Sequence, residues 1–233
     1  MARKTKAKPQ RRARARAATG TSTSNKPTEA LMALLADNRF EEIGLAEIAG
    51  RAGMSLSALR GEYGSTLVIL AAHFKQIDRA VLDGGKVDEE APARDRLFEI
   101  LMRRIETLAP YQAAVRTLMQ SARRNPPLAF ALNGMAVRSQ RWMLTAAAID
   151  TAGPRGALRA QGAALMFARV LSVWVDDDEP GFDRTMAALD RGLASAERWV
   201  GFIDDLCAIP ACLARGRRRR RPAREGAAEA DAA

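Results

Sequence analysis

Cysteine and histidine are nearly absent from this chain, with two cysteines and one histidine in 233 residues. The chain has too few ligands for a zinc site, namely Cys207, Cys212 and His73. We expect the two thiols to be packed in the interior or to have no role. No uninterrupted apolar run is long enough to cross a bilayer, and no apolar secretory leader is recognisable. These absences predict a cytoplasmic protein with reduced thiols and with no metal or other cofactor.

The sequence patterns that carry catalysis are missing as well. The chain has no nucleophile elbow and no glycine-rich loop that cradles phosphate. His73 has no acid or nucleophile partner recognisable in the sequence, and its position beside Phe74 predicts a packing or linker residue. We therefore predict that the protein is not an enzyme.

The formal net charge of +10 suggests a nucleic-acid binder until it is divided along the chain. Residues 1–26 carry +9 with no acidic residue, and residues 214–233 carry +4, which leaves −3 for residues 27–213. The basic character therefore belongs to the two ends, which we expect to be disordered. A mildly acidic body predicts modest attraction to phosphate unless the ends take part.

β-Branched residues are scarce and no segment keeps a period of two, so the composition predicts an all-α protein. Its most informative stretch is residues 45–59, where apolar residues recur at helical spacing on both sides of one glycine. They are Leu45, Ile48, Ala49 and Ala52 before Gly53, and Leu56 and Leu59 after it. A glycine with positive φ suits the end of a helix, so this spacing predicts a helix-turn-helix.

Further along, caps and prolines predict a connecting helix and a larger bundle. Ser65 is the expected N-cap of a helix that runs to Leu82, and Asp83-Gly84-Gly85 marks a boundary. The later helices are expected to begin near Pro92, Pro110, Pro126, Gly153-Pro154 and Pro180.

The turn Ile48-Ala49-x-x-Ala52-Gly53-Met54-Ser55, followed by Leu59, Tyr63 and Ser65 and then by a long helical region, resembles the TetR family of transcriptional regulators. The resemblance implies an N-terminal three-helix helix-turn-helix domain that binds operator DNA as a homodimer, followed by a bundle that holds a small apolar effector. The expected organisation is a basic arm at 1–26, the helix-turn-helix domain with its connecting helix at 27–82, the ligand-binding and dimerisation domain at 92–208, and an arginine-rich tail at 209–233.

The DNA-facing half of the motif departs from the family, because three expected phosphate partners around the recognition helix are replaced, one of them by an acid. Residues 27–64 also carry a net charge of −3. Such a head predicts weak DNA binding, or binding that depends on the arm. The residues expected to face DNA are Ser55, Ser57, Arg60, Tyr63, Ser65 and Thr66. Arg60 suits a guanine edge or a phosphate through its planar guanidinium. A solvated arginine that pairs near Glu62 or with water is the alternative.

Methionine and aromatic residues of the bundle are the candidates for the effector site, since they adapt to flexible apolar ligands. They are Met102, Met119, Trp142, Met143, Met166, Phe167 and Trp174, with Leu118 and Met135 beside them. A stripe of such residues at helical spacing is equally typical of ordinary core.

Residues 171–191 also resemble the ubiquinone-biosynthesis accessory family, which has a TetR-type fold. That resemblance implies an isoprenoid or lipid ligand and the loss of DNA binding. The amphipathic stretch from Trp199 to Leu206 and the arginines at 215–221 suit a membrane surface, a dimer interface or a nonspecific DNA clamp. The acids Asp176 to Glu179 are expected to face the positive end of the next helix rather than a metal ion.

Overall fold

The computed structural model describes residues 26–85, 87–179 and 181–196, and these residues form helices and connecting segments with no strand among them. The basic arm before residue 26 and everything after residue 196 lie outside the described residues, including the stretch from Trp199 and the arginine run. The helices are α1 (26–35), α2 (Leu45–Arg51), α3 (Leu56–Glu62), α4 (Thr66–Asp83), α5 (Ala93–Leu108), α6 (Gln112–Arg124), α7 (Pro126–Ala146), α8 (Gly153–Trp174) and α9 (183–196). The all-α class is confirmed.

The turn between α2 and α3 has the predicted geometry. Gly53 adopts φ +65°, and the N–H of Met54 donates to the carbonyl of Ala49 across 3.0 Å, which closes the end of α2. A residue with a side chain is strained at this φ, whereas glycine is not. The chain therefore reverses sharply enough for α3 to cross α2 as the second helix of a helix-turn-helix.

Several helix starts follow the local sequence. Ser65 caps α4 by accepting from the N–H of Val68, and Asn125 caps α7 by accepting from the N–H of Leu128. Pro126 is the first residue of α7, where the missing N–H costs nothing. Pro110 differs from the expectation, because it lies in a short 3-10 turn (Ala109–Tyr111) and α6 begins after that turn at Gln112.

Two apolar clusters form the interior, and α4 belongs to both. The first lies under α1, α2 and α3 and includes Ile69 and Leu70 of α4. The second fills the bundle of α5, α7, α8 and α9 and includes Ile77 and Val81 of α4. A shift of α4 must therefore repack both clusters, because cores are close-packed.

Among the described residues, no helix is both long enough and apolar enough to span a membrane.

Candidate functional site

Helix α3 presents its surface to solvent. Leu59 is its one buried residue, at 1% exposure, and it anchors the helix to the first cluster. Ser57 and Arg60 lie on the exposed part of α3, as does Leu56. One side of α3 therefore packs on the protein and the other faces solvent. This is the geometry with which the second helix of a helix-turn-helix enters a major groove.

The residues predicted to face DNA take different roles in the structure. Ser55 is the N-cap of α3, and its hydroxyl accepts from the N–H of Ala58 at 3.1 Å. Ser65 caps α4 in the same way, and Thr66 next to it is half-buried. Tyr63 is buried in the first cluster, so its ring is part of the head's core.

Ser57 and Arg60 remain as exposed polar groups of α3. Arg60 makes no ion pair within the part of the chain that the structure describes, so the expected alternative of local pairing near Glu62 is not seen there. An unpaired guanidinium on the outer side of α3 retains its donors for a phosphate or a base edge.

The head, formed by α1 to α3, is tied to the bundle by side-chain hydrogen bonds. The hydroxyl of Tyr111 donates to Glu29 at 2.8 Å, and burial together with this carboxylate raises the pKa of Tyr111 to about 12. The amide of Asn125 donates to Glu41 at 3.0 Å, and hydrogen bonds from the Glu41 backbone and from Asn125 lower the pKa of Glu41. Thr28 of α1 also donates to Gln76 of α4 at 2.9 Å.

Most of the predicted effector residues lie inside the bundle. Met143, Phe167 and Trp174 are buried in the second cluster, and Met102, Met119 and Met166 are half-buried against it. Trp142 lies on the outer surface of α7, with 60% of its area exposed. Leu118 and Met135 belong to the first cluster, under the head.

The bundle also contains a buried charged cluster, which we call the polar cluster: Asp78 of α4, Arg104 of α5 and Ser139 of α7. Arg104 donates to the carboxylate of Asp78, and the hydroxyl of Ser139 donates to the same oxygen at 2.6 Å. The guanidinium carbon of Arg104 lies 5.7 Å from the ring centre of Phe167. Pairing the two opposite charges lowers the cost of holding each of them away from water.

Sequence reasoning missed the polar cluster, although the sequence carries a signal for it. Arg104 falls at the helical spacing of Ile100, Leu101 and Leu108, on the face that is otherwise apolar. A charged residue on a buried face needs a partner, and that requirement is the signal. The identity of the partner, Asp78, depends on how α4 packs on α5.

His73 of α4 lies beside this cluster and is 3% exposed, which confirms the prediction of a packing residue. Its ring meets that of Tyr111 edge-on, with 4.6 Å between the centres. Burial, with the charge of Arg104 as a second cause, lowers the pKa of His73 from 6.5 to about 4. The imidazole is therefore neutral at pH 7.

Four buried polar atoms around α4, α5 and α7 have no hydrogen-bond partner among the described residues: both ring nitrogens of His73, Nε of Arg104 and Oε1 of Gln140. Leaving a buried polar group without a partner costs about 1–3 kcal/mol. Such groups in a native protein need an explanation, such as an ordered water or local strain.

A cleft of about 400 Å³ opens where α4 ends, and none of the predicted effector residues lines it. Arg96 and Arg103 project into this cleft, but both are engaged in holding the chain. Arg96 donates to the carbonyl of Ala147 at 2.9 Å, and Arg103 donates to that of Gly85 at 3.1 Å. Arg103 thus fixes the segment that follows α4, and Arg96 ties α5 to the end of α7.

The acids that precede α9 behave as expected at Asp177. Its carboxylate accepts the backbone N–H of Thr185 at 2.9 Å and the Thr185 hydroxyl at 2.6 Å, in the first turn of α9. These bonds lower the pKa of Asp177. Asp176 lies 3.4 Å from Arg116. Both acids are therefore engaged with protein groups, and no group of three metal-binding side chains occurs among the described residues.

Comparison with known proteins identifies the fold. No family model matches the chain, and no curated protein matches it in sequence. Among solved structures, it is similar to a TetR transcriptional regulator from Nitrosomonas europaea ATCC 19718, with 18% identity, a TM-score of 0.58, and 75% of this chain and 97% of that chain covered. It is also similar to a TetR transcriptional regulator from Rhodococcus sp. RHA1, with 21% identity, a TM-score of 0.54, and 76% and 97% covered.

These likenesses, together with the helix-turn-helix and the bundle behind it, establish that the chain has the TetR-type fold. The resemblance of residues 171–191 to the ubiquinone-biosynthesis accessory family stays a prediction.

Proposed function

We propose that the protein is a transcriptional regulator that binds operator DNA through α3 and responds to a small effector held in the bundle. The observation that carries the proposal is the exposed outer side of α3, where Ser57 and Arg60 have no competing partner among the described residues. In this proposal Ser57 and Arg60 approach the bases or phosphates directly. Ser55 lies at the start of α3, and Ser65 and Thr66 lie at the start of α4. Tyr63 packs in the first cluster and so stabilises the head that carries α3. Such a protein works in the cytoplasm and catalyses no reaction.

A regulator of this kind acts as a homodimer, and α8 offers an apolar surface for one. Leu158 and Leu165 are both more than half exposed, and their spacing of two helical turns places them on one side of α8. Trp142 and Phe130 of α7 are also exposed, at 60% and 83%. Pairing two copies presents two α3 helices, which must match half-sites about 34 Å apart or a multiple of that distance.

The proposed effector site lies among the apolar residues of the bundle. Met102, Met119, Met143, Met166, Phe167 and Trp174 supply adaptable apolar surface there. An effector bound in this region changes the packing of α4, and therefore the separation of the two heads. A small apolar molecule or a lipid fits this chemistry.

The test is selection from a random DNA library by the full-length protein, followed by measurement of affinity for the enriched sequence. We expect a two-fold symmetric sequence to be enriched. Arg60→Gln should weaken binding to it by roughly tenfold and reduce the salt dependence by about two ions, because each subunit of the dimer loses one cation. Arg94→Gln, which removes a cation from α5, outside the head, is the control and should leave the affinity unchanged; Arg94 is half-buried and pairs with Asp190.

The absence of any enriched sequence would overturn the proposal. If an isoprenoid also co-purified with the protein, the result would support the alternative function, a lipid-binding accessory factor of ubiquinone biosynthesis that no longer reads DNA. Contact of the arginine-rich tail with a membrane surface belongs to that alternative.

A further inference from the structure

Helix α3 exposes one large apolar side chain. Leu56, its first residue, has 52% of its area open to solvent. Among the described residues of α1 to α3, it is the one large apolar side chain that is exposed. Leu59 is the buried residue that anchors α3, so the fold leaves more than half of Leu56 uncovered. Its place on the helix proposed to enter DNA makes it a candidate for apolar contact with a base.

Leu56 lies on the same side of α3 as Arg60. The two residues are four positions apart, which places them one turn apart along the helix. Arg60 makes no ion pair among the described residues. This side of α3 therefore presents an apolar group next to a cationic donor. In a major groove, such a pair complements a thymine methyl group next to a guanine edge or a phosphate.

The centre of the outer side of α3 is small. Ser57 and Gly61 each lie two positions from Leu59, about 200° around the helix, so both face away from the core. A Cβ added at Gly61 would meet no atom within 4 Å, so no described contact requires glycine there. Glycine inside a helix lowers its stability relative to alanine, but it permits the close approach of another molecule. That approach brings base edges within reach of Leu56.

The charge of the head favours short-range contacts with DNA. Residues 27–64 carry a net charge of −3, so long-range attraction to phosphate contributes little to the affinity of the head. Contacts with base edges must then supply a larger share of it. Thymine is the one base of ordinary DNA that presents a methyl group in the major groove. Thymine is therefore the base that fits Leu56.

We propose that Leu56 determines sequence specificity by packing against the 5-methyl group of a thymine in each half-site of the operator. Arg60 contacts the neighbouring part of the same groove, and Gly61 allows α3 to come close enough. The inference rests on the proposed regulatory function, because it names one base that α3 reads.

The first experiment uses uracil, which pairs as thymine does and lacks only the 5-methyl group. The enriched operator is synthesised with uracil in place of each thymine in turn, at the same position of both half-sites. Binding of the full-length protein is measured by fluorescence anisotropy. One position should lower the affinity by roughly fourfold per half-site, or about 15-fold for both, because each half-site loses about one buried methyl group. A loss below twofold at every position, or a half-site without thymine, would overturn the proposal.

A variant assigns the methyl contact to Leu56. In Leu56→Ala, the ratio of the affinities for the thymine and uracil operators should fall from about 15 to near one, because the group that senses the methyl is gone. Leu82→Ala removes the same atoms from an exposed leucine at the far end of α4, and this matched control should keep the wild-type ratio. A Leu56→Ala protein that also keeps the wild-type ratio contradicts the assignment.

A second copy of the chain is the rival occupant of this surface. Sedimentation equilibrium of Leu56→Ala should give the same dissociation constant for the dimer as the wild type. A tenfold increase would place Leu56 in a protein interface and would overturn the proposal. The uracil experiment needs no variant, so it decides the methyl contact even if Leu56→Ala folds poorly.

This inference and the proposed function fail in different ways. If the library selection enriches an operator that binds equally well with uracil, the regulatory function stands and the role of Leu56 is rejected. If no sequence is enriched, the regulatory function is rejected and the thymine contact with it.

Discussion

At the scale of single residues, the burial of His73 couples stability to pH. The folded protein holds this ring neutral with a pKa of about 4, whereas an unfolded chain protonates it near 6.5. Between these values the unfolded state binds the extra proton, so stability is fully present above about pH 6.5 and falls as the pH falls. At about pH 4.5 the free energy of unfolding should be lower by roughly 2–3 kcal/mol on account of this residue.

The measurement is urea denaturation at about pH 7 and pH 4.5, for the wild type and for His73→Phe. The wild type should lose roughly 2–3 kcal/mol more than the variant over this interval. Carboxylates with lowered pKa values, such as Glu41 and Asp177, also respond to acid, but they do so in both proteins and cancel in the difference. An equal loss in the two proteins would show that the imidazole is accessible to protons in the folded state.

Residue roles were the least predictable part of the site. A serine before a helix suits both a phosphate contact and a cap, and the hydroxyls of Ser55 and Ser65 act as caps here. The position of Tyr63 suits either DNA contact or core packing, and in the structure its side chain is buried. The polar cluster depends on residues 26 positions apart, Asp78 and Arg104, and periodicity within one helix cannot pair them.

At the scale of helices, the start of α3 rests on one side chain. Ser55→Ala removes the hydroxyl that accepts the N–H of Ala58, so the free energy of unfolding should fall by about 1 kcal/mol. Ser57→Ala is the matched control, because Ser57 is exposed and its hydroxyl bonds to no residue that the structure describes. It should change stability by less than about 0.5 kcal/mol. Urea denaturation at pH 7 measures both.

The same two variants separate folding from DNA contact. Ser57→Ala should weaken binding to a selected operator while leaving stability intact, if Ser57 faces DNA as proposed. A Ser57→Ala protein that loses as much stability as Ser55→Ala would contradict the positions of these two hydroxyls.

The helices themselves were largely predictable, for local reasons. Gly53 supplies the positive φ of the turn, Ser65 caps α4, and Pro126 occupies the first position of α7. Each of these signals acts within one turn of helix, so the sequence contains it directly. The contribution of α6 and α7 to the core under the head could not be predicted in this way. Leu118 and Leu128 lie far from the head in sequence and give no local signal of that contact.

At the scale of the whole molecule, the exposed side of α8 should control self-association. Leu165→Glu places a carboxylate in the apolar surface proposed for the dimer, so the dimer should dissociate at concentrations at least roughly tenfold higher than for the wild type. Sedimentation equilibrium measures the dissociation constant. Val68→Glu, at an exposed apolar residue of α4, is the control and should leave it unchanged. A Leu165→Glu protein that remains as dimeric as the wild type would exclude this side of α8 as the interface.

The interior under the head is completed by the bundle, since Ala114, Leu118, Leu128 and Met135 of α6 and α7 share one cluster with α1, α2 and α3. A fragment that stopped after α4 would expose the apolar surfaces that these four residues cover. The head therefore depends on its own bundle for a complete core. Chimaeras that graft the head onto another bundle should need the inner faces of α6 and α7 transplanted with it.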